Sequence, residues 1–498
     1  MKTIDLQAAR RLLDFSVRLD SEQRAEEQLQ GAVALHNLLA ERGCAYVADE
    51  VGMGKTYVAL GAMALMRHFQ PKLRVLVITP RENIQIKWMK ELRNMVYNNV
   101  RFPDLRVKTL DGSPAIPMVK CDRLLDLVHQ VNLRPDGCFF TRMSSFSLGL
   151  ADMSGGDDAP GRRNASALRD ELKRYIPWLS PDALDLRVRD RQTFKDNFAR
   201  ALCCALPVFD LVIVDEAHNL KRGFNIGVAA RNRVIALAMG HQGGDAAKSI
   251  FRGYGPRAPR VLFLSATPIE ESYTQLWNQL DVFGHGDDFP ELKDKSLQDE
   301  EKKAVARRFL IRRVTTMKVG EDELTKNLYR REWRRGGVDQ HDEPIRVTDT
   351  KQRLVLALVQ KKVAEIIGHE RFGNCFQMGM LASFESFQQT ASHTRRQDDD
   401  SAGNFDDGDQ TDDVLEREGI DVRGVNRLAK SYRDKFGSEL PHPKMDALVD
   451  SLSTVWHTGT KALVFVRRIA SVTDLKRKLD ERYAPEVQQL IQQVEQLS

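Results

Sequence analysis

Lys55 and Thr56 close the run A-D-E-V-G-M-G-K-T, Ala48 to Thr56. It follows a short apolar stretch (Cys44 to Ala48) and opens a segment with helical spacing through Tyr57, Leu60, Gly61, Ala64 and Leu65. A strand that turns through glycines into a helix leaves the first helical N–H groups without intrahelical partners, so they point into the turn and can hold an anion. Gly52 and Gly54, flanking Met53, let the backbone approach phosphate oxygens. Lys55 brings positive charge to the outer phosphates, and the Thr56 hydroxyl can ligate the Mg²⁺ that bridges them. The chemistry on offer is the gripping of a nucleoside triphosphate. The usual loop, G-x-x-x-x-G-K-[ST], begins with Gly, and Asp49 occupies that place here. Upstream, Gln28 has an amide that can donate to and accept from an adenine edge, or can serve as an ordinary surface glutamine.

A second pair of reactive groups closes the run F-D-L-V-I-V-D-E-A-H, Phe209 to His218. Asp215 can orient Mg²⁺ while Glu216 positions and polarises an attacking water. Phosphoryl transfer needs that division because developing charge must be neutralised while the nucleophile is held in line. A third run, V-L-F-L-S-A-T-P at Val261 to Pro268, ends in Ser265 and Thr267, hydroxyls able to hydrogen-bond the two carboxylates.

Each of these runs needs a buried strand to deliver it. Arg74 to Thr79 (R-V-L-V-I-T) is nearly continuous Val, Leu and Ile, the pattern of a parallel strand covered by helices on both faces. Leu105 to Leu110, Cys138 to Thr141, Phe209 to Asp215 and Arg260 to Ser265 are further strand candidates. Helical stretches lie between them, among them Glu22 to Arg42 and Asn83 to Met95. The fold class is therefore α/β with a doubly wound parallel sheet, whose ligands sit at the carboxyl ends of the strands.

The chain has 498 residues, room for about three domains of ~150 residues. With 75 basic and 70 acidic groups its net charge of +5 says little about partners, so the distribution of charge is the better guide. Six dispersed cysteines without a C-x-x-C pair fit a reducing compartment rather than a disulfide framework or a zinc site. No apolar run approaches the ~20 residues of a membrane span, and the N-terminus lacks a signal-peptide pattern. A cytoplasmic protein without a membrane partner is expected.

Taken together and in this order, Gln28, D-E-V-G-M-G-K-T, L-V-I-T-P-R, D-E-A-H and S-A-T-P resemble the helicase superfamily 2 ATPases. The D-E-x-G-x-G-K-T spelling, Trp88 and Glu91 after L-V-I-T-P, and T-P-I-E-E-S-Y-T-Q-L-W point to the Swi/Snf-type DNA translocases, with S-A-T where that branch more often has G-T. The resemblance implies a RecA-like lobe of the P-loop NTPase class and use of ATP with Mg²⁺. Gln28, Gly52, Met53, Gly54, Lys55 and Thr56 would bind ATP, and Thr56 and Asp215 would hold the metal. Lys55, Asp215 and Glu216 would drive hydrolysis, His218, Ser265 and Thr267 would couple it to motion, and Thr79, Pro80 and Arg81 would lie along a nucleic-acid backbone, that of double-stranded DNA.

Residues 1–20 read as a short helix and 21–286 as the ATP-binding lobe, with a polar insertion at about 149–200. Residues 287–440 read as a helical linker and 441–498 as the beginning of a second RecA-like lobe, with P-K-M-D-A-L (Pro443 to Leu448) preceding a helix, a strand over Lys461 to Val466 and a helix over Ser471 to Tyr483. From Lys302 to Arg335 there are 12 Lys or Arg against four Asp or Glu, and F-L-I-R-R and Y-R-R-E-W-R-R mix basic with aromatic residues. That mixture suits phosphate contacts through Arg312 and Arg313, and the resemblance adds a bracing role for the double arginine. Gln397 to Asp413 holds eight aspartates and no basic residue, the composition of a disordered tether. The arginine that a second lobe normally supplies to the transition state has no counterpart past Tyr483. Two readings follow. One is a DNA-dependent ATPase completed by a further segment or a separate polypeptide. The other is an ATP- and DNA-binding module of low turnover, a nucleotide-gated subunit of a larger complex such as a phage-defence assembly.

Overall fold

A computed structural model describes residues 1–18, 22–50, 52–102, 118–147, 160–184, 191–225, 229–241, 250–313, 316–319, 322–325, 348–355, 357–358, 431, 434–435, 443–459, 462–464, 472 and 475–484. The chain forms two compact units, the first covering Met1–Arg335 and the second most of the remainder.

The first unit is built on seven parallel strands: β1 (Cys44–Val47), β2 (Arg74–Thr79), β3 (Met118–Lys120), β4 (Gly137–Arg142), β5 (Leu211–Asp215), β6 (Val261–Leu264) and β7 (Leu310–Ile311), in the order β3-β4-β2-β5-β6-β1-β7. Side chains alternate between its faces, as the strand period of two requires. Ala45, Val47, Val75, Val77, Ile213, Leu262 and Leu264 meet α1 (Leu6–Leu12), α2 (Glu22–Arg42), α3 (Lys55–Phe69) and α4 (Glu82–Asn98). Tyr46, Leu76, Ile78, Val212, Val214 and Phe263 meet α5 (Leu124–Leu133), α6 (Pro160–Tyr175), α7 (Arg191–Ala205), α8 (Ala230–Ala238), α9 (Tyr273–Asp281) and α10 (Asp299–Ala306) on the other face. This is the doubly wound α/β sheet of the expected class. Strands buried on both faces read as unbroken apolar runs, which is why five of them (β1, β2, β4, β5 and β6) are visible in the sequence.

Several expectations take a different form. Leu310–Ile311, placed in a basic stripe, is instead edge strand β7, anchored by the fully buried Phe309. β3 has no sequence signal at three half-buried residues, and the expected strand over 105–110 lies outside the described residues. Within the polar insertion, α6 and α7 bring Leu168, Leu172, Phe194 and Phe198 into the main core, so this stretch is part of the lobe's packing. β8 (Thr316–Val319) and β9 (Asp322–Thr325) form an antiparallel hairpin.

In the second unit, α11 (Pro443–His457) packs Met445 and Val449 against Leu475. Residues 475–484 are helical, as expected, whereas 462–464, inside the expected strand Lys461–Val466, are not in a strand. The acidic tether, Tyr329 to Arg335 and the chain after Ala484 lie outside the described residues.

The helix that follows the glycine turn is fixed by close backbone approach. A Cβ built on Gly61 of α3 would stand 2.8 Å from Phe15 Cζ and 2.9 Å from Ala32 Cβ. Gly61→Val should therefore lower the unfolding free energy by ~1–3 kcal/mol, the usual range for overpacking, in a denaturant titration. An unchanged midpoint would show that α2 and α3 are not packed this closely.

Candidate active site

The ends of three adjacent strands, β5, β6 and β1, assemble the site at one rim of the sheet. After β1 the chain passes the buried Asp49 and turns through Gly52 (φ 88°) and Gly54 (φ 80°), left-handed conformations that glycine adopts without strain. α3 begins at Lys55 with no side-chain cap, so its first N–H groups and the positive end of its dipole face the turn. A Cβ on Gly52 would meet nothing within 4 Å, which leaves open room beside the turn. A Cβ on Gly54 would fall 2.4 Å from Gln28 Nε2. The Gln28 amide of α2, nearly buried, is thus packed against the turn and is not an ordinary surface glutamine.

Lys55 Nζ donates to the carbonyls of Asp49 (3.0 Å) and Glu50 (3.2 Å). Burial pushes its pKa down, and the negative charges of Glu216, Asp49, Asp215 and Glu50 pull it back. Beside it, Asp49 accepts from the Arg313 backbone N–H (2.7 Å), from Arg313 Nε (2.9 Å) and from Nη2.

At the end of β5, Asp215 Oδ2 accepts from the indole Nε1 of Trp88 (2.7 Å) and Oδ1 from the Glu216 N–H (3.0 Å). Burial pushes the Asp215 carboxyl above its ordinary pKa, the Trp88 hydrogen bond pulls it down, and the charge of Glu216 adds to the rise. Glu216 is the one non-glycine residue with positive φ (51°) among those described. Such a conformation costs ~1–3 kcal/mol and persists where the surroundings over-determine it. Its carboxyl is held below the ordinary range, chiefly by the hydrogen bond from His218.

β6 lies between the other two strands, and the Ser265 N–H donates to Val47 O (3.1 Å), joining it to β1. His218 Nδ1 lies 2.9 Å from Ser265 Oγ and 3.2 Å from Glu216 Oε2. The Thr267 N–H donates to Ser265 Oγ (3.2 Å). The link from the third run to the acids therefore passes through His218, where direct hydroxyl–carboxylate bonds were expected.

Of the residues assigned to a nucleic-acid backbone, Thr79 is fully buried and its hydroxyl donates inward to Thr141 O (3.3 Å). Pro80 is half-buried, and Arg81 is exposed at the N-cap of α4. Arg312 is exposed after β7, whereas Arg313 is taken up by Asp49. Sequence reading gave no role to Trp88, Asp49 or the Arg313–Asp49 pair. The one available signal was an acid in the place of a glycine.

A family model described as type III restriction enzyme, res subunit, matches residues 19–119, the segment from α2 through the glycine turn to α4 and beyond. No curated protein matches the chain by sequence. The Sulfolobus solfataricus SWI2/SNF2 ATPase core in complex with dsDNA is 13% identical, with 91% of this chain and 77% of that chain covered at a TM-score of 0.34. The Sulfolobus solfataricus SWI2/SNF2 ATPase core domain is 12% identical, with 87% and 67% covered at a TM-score of 0.34. Over the matched segment the chain is similar to helicase-superfamily ATPases. Among the described residues, no helix is long and apolar enough to cross a membrane.

The donor set fits a magnesium-bound triphosphate, with open room at Gly52, an ammonium whose hydrogen bonds among the described residues go to carbonyls, and two carboxylates at the same rim. The Trp88 hydrogen bond opposes the rise that burial imposes on Asp215, so Trp88→Phe should raise the Asp215 pKa further. Affinity for Mg·ATP should then fall away at a higher pH than in the unaltered chain as the solution is acidified, measured by titration from pH 8 to pH 5. Coincident pH profiles would remove Trp88 from the site.

Proposed function

We propose that the chain is a DNA-dependent ATPase of helicase superfamily 2, of the Swi/Snf translocase type, that couples ATP hydrolysis to movement on double-stranded DNA. The observation that carries this reading is the convergence of the Lys55–Thr56 turn, the Asp215–Glu216 pair and Ser265 at the ends of three neighbouring parallel strands. The match of residues 19–119 to a restriction-enzyme res subunit supports it.

In this reading the turn from Gly52 to Thr56 receives the phosphates on backbone N–H groups. Lys55 exchanges the carbonyls of Asp49 and Glu50 for the outer phosphate oxygens. The Thr56 hydroxyl and Asp215 would hold Mg²⁺, which when bound neutralises charge developing on the transferred phosphoryl group. Trp88 fixes the Asp215 carboxylate by occupying one of its oxygens. Glu216, kept ionised by His218, orients a water and accepts its proton as the water oxygen attacks the γ-phosphorus and the bond to ADP breaks. Because His218 also touches Ser265, a change at Glu216 is felt at the S-A-T run. Arg81 and Arg312, exposed at strand ends, are free to meet phosphates of the duplex.

Turnover of ATP by the chain, measured with and without duplex DNA, tests the proposal. Duplex should stimulate hydrolysis, and the DNA concentration for half-maximal effect should rise with salt. Glu216→Gln should bind ATP yet hydrolyse it roughly 10²–10⁴-fold more slowly. Turnover indifferent to DNA, or full activity in Glu216→Gln, would contradict it.

A further inference from the structure

Asp49 stands where the phosphate loop ordinarily begins with glycine, and its carboxylate is fully buried. A buried charge without partners is costly, so the neighbours that neutralise it shape the turn. Among the described residues, the hydrogen bonds to it come from one residue. Arg313 gives Asp49 its backbone N–H at 2.7 Å, Nε at 2.9 Å, and Nη2, and the same Nη2 reaches Met53 O (3.5 Å) on the far side of the turn.

The sheet register dictates this meeting. β7 pairs with β1 in parallel, Val47 opposite Ile311, and the Ala48 N–H donates to Ile311 O (2.8 Å). Two residues further along both chains, Asp49 lies opposite Arg313. The guanidinium also passes close to α2, where a Cβ on Gly31 would stand 3.9 Å from Arg313 Cζ and 3.0 Å from Val58 Cγ1. A planar fork with fixed donor directions suits this slot, and a lysine ammonium does not.

We infer that Arg313 is a positioning residue of the ATP site: by gripping Asp49 and reaching Met53 it holds both ends of the phosphate-binding turn in shape before nucleotide enters. The inference rests on reading the turn as a triphosphate cradle. It also reassigns Arg313 from nucleic acid to nucleotide. Lys55 leaves its carbonyls when phosphates arrive, whereas Arg313 holds a side chain that phosphates do not displace. Without Arg313, the Asp49 carboxylate would be an unpaired negative charge beside the incoming triphosphate. Arg312, one residue earlier in the chain and exposed, takes no part.

The test is an equilibrium Mg·ATP titration of the full chain, with folding checked by circular dichroism. Arg313→Ala should weaken binding by about 10- to 100-fold, the scale of losing charge-assisted hydrogen bonds at a buried site. The rescue is the decisive arm. Asp49→Gly removes the charge that Arg313 serves and restores the common spelling, so Asp49→Gly with Arg313→Ala should bind within about threefold of Asp49→Gly alone. If Arg313→Ala does not fold, Arg313→Lys, which keeps charge without the fork, should show a smaller loss that Asp49→Gly also rescues. Affinity unchanged in a folded Arg313→Ala, or a double variant no better than the single, would overturn the inference. With wild-type binding intact and Lys55→Ala inactive, such a result would leave the cradle reading standing. No ATP uptake by the wild-type chain would end both.

Discussion

The half-buried ammonium of Lys55 is the group to which the rest of the site answers. Burial disfavours its charge, and four acids, Glu216, Asp49, Asp215 and Glu50, restore it. Two of those acids arrive from β5, two strands away across β6, so the electrostatic balance exists only if the sheet brings these ends to one level. Asp49 is neutralised separately by Arg313 and Asp215 is steadied by Trp88. Burial holds Asp215 above its ordinary pKa, and the hydrogen bond from His218 holds Glu216 below its own. Groups pushed apart in this way are what a reaction with separate metal-holding and proton-accepting roles requires.

The fold supplies rigidity where that balance needs it. β5, β6 and β1 are buried on both faces, and the helices on either side bring two apolar clusters against them. Among the described residues the one non-glycine left-handed backbone, that of Glu216, lies at the rim, where Gly52 and Gly54 also turn the chain. Distortion at the rim with regularity beneath it is the expected arrangement for a site that must hold geometry without ligand.

The parts most legible in the sequence were those with a single physical solution. Apolar runs ending in reactive groups, as at Phe209 to Glu216 and Val261 to Ser265, can only be buried strands delivering side chains to a rim, and the structure has β5 and β6 there. The glycines before Lys55 announced the turn. What could not be read depended on partners distant in the chain. Nothing local says that Trp88 donates to an acid 127 residues away or that Arg313 pairs with Asp49. Edge strand β7 was hidden because two apolar residues beside arginines look like a basic stripe. Thr79 ends its strand at the rim, but alternation along β2 turns its hydroxyl inward to Thr141.

The claim beneath all of this is that Lys55 and the acids facing it form a socket for a magnesium-bound triphosphate. The most direct measurement is calorimetric titration of the wild-type chain and of Lys55→Ala with Mg·ATP at neutral pH. Saturable binding by the wild type, weakened at least ~100-fold in a folded Lys55→Ala, is the predicted result. Equal affinities in the two proteins, or no heat of binding from either, would contradict it.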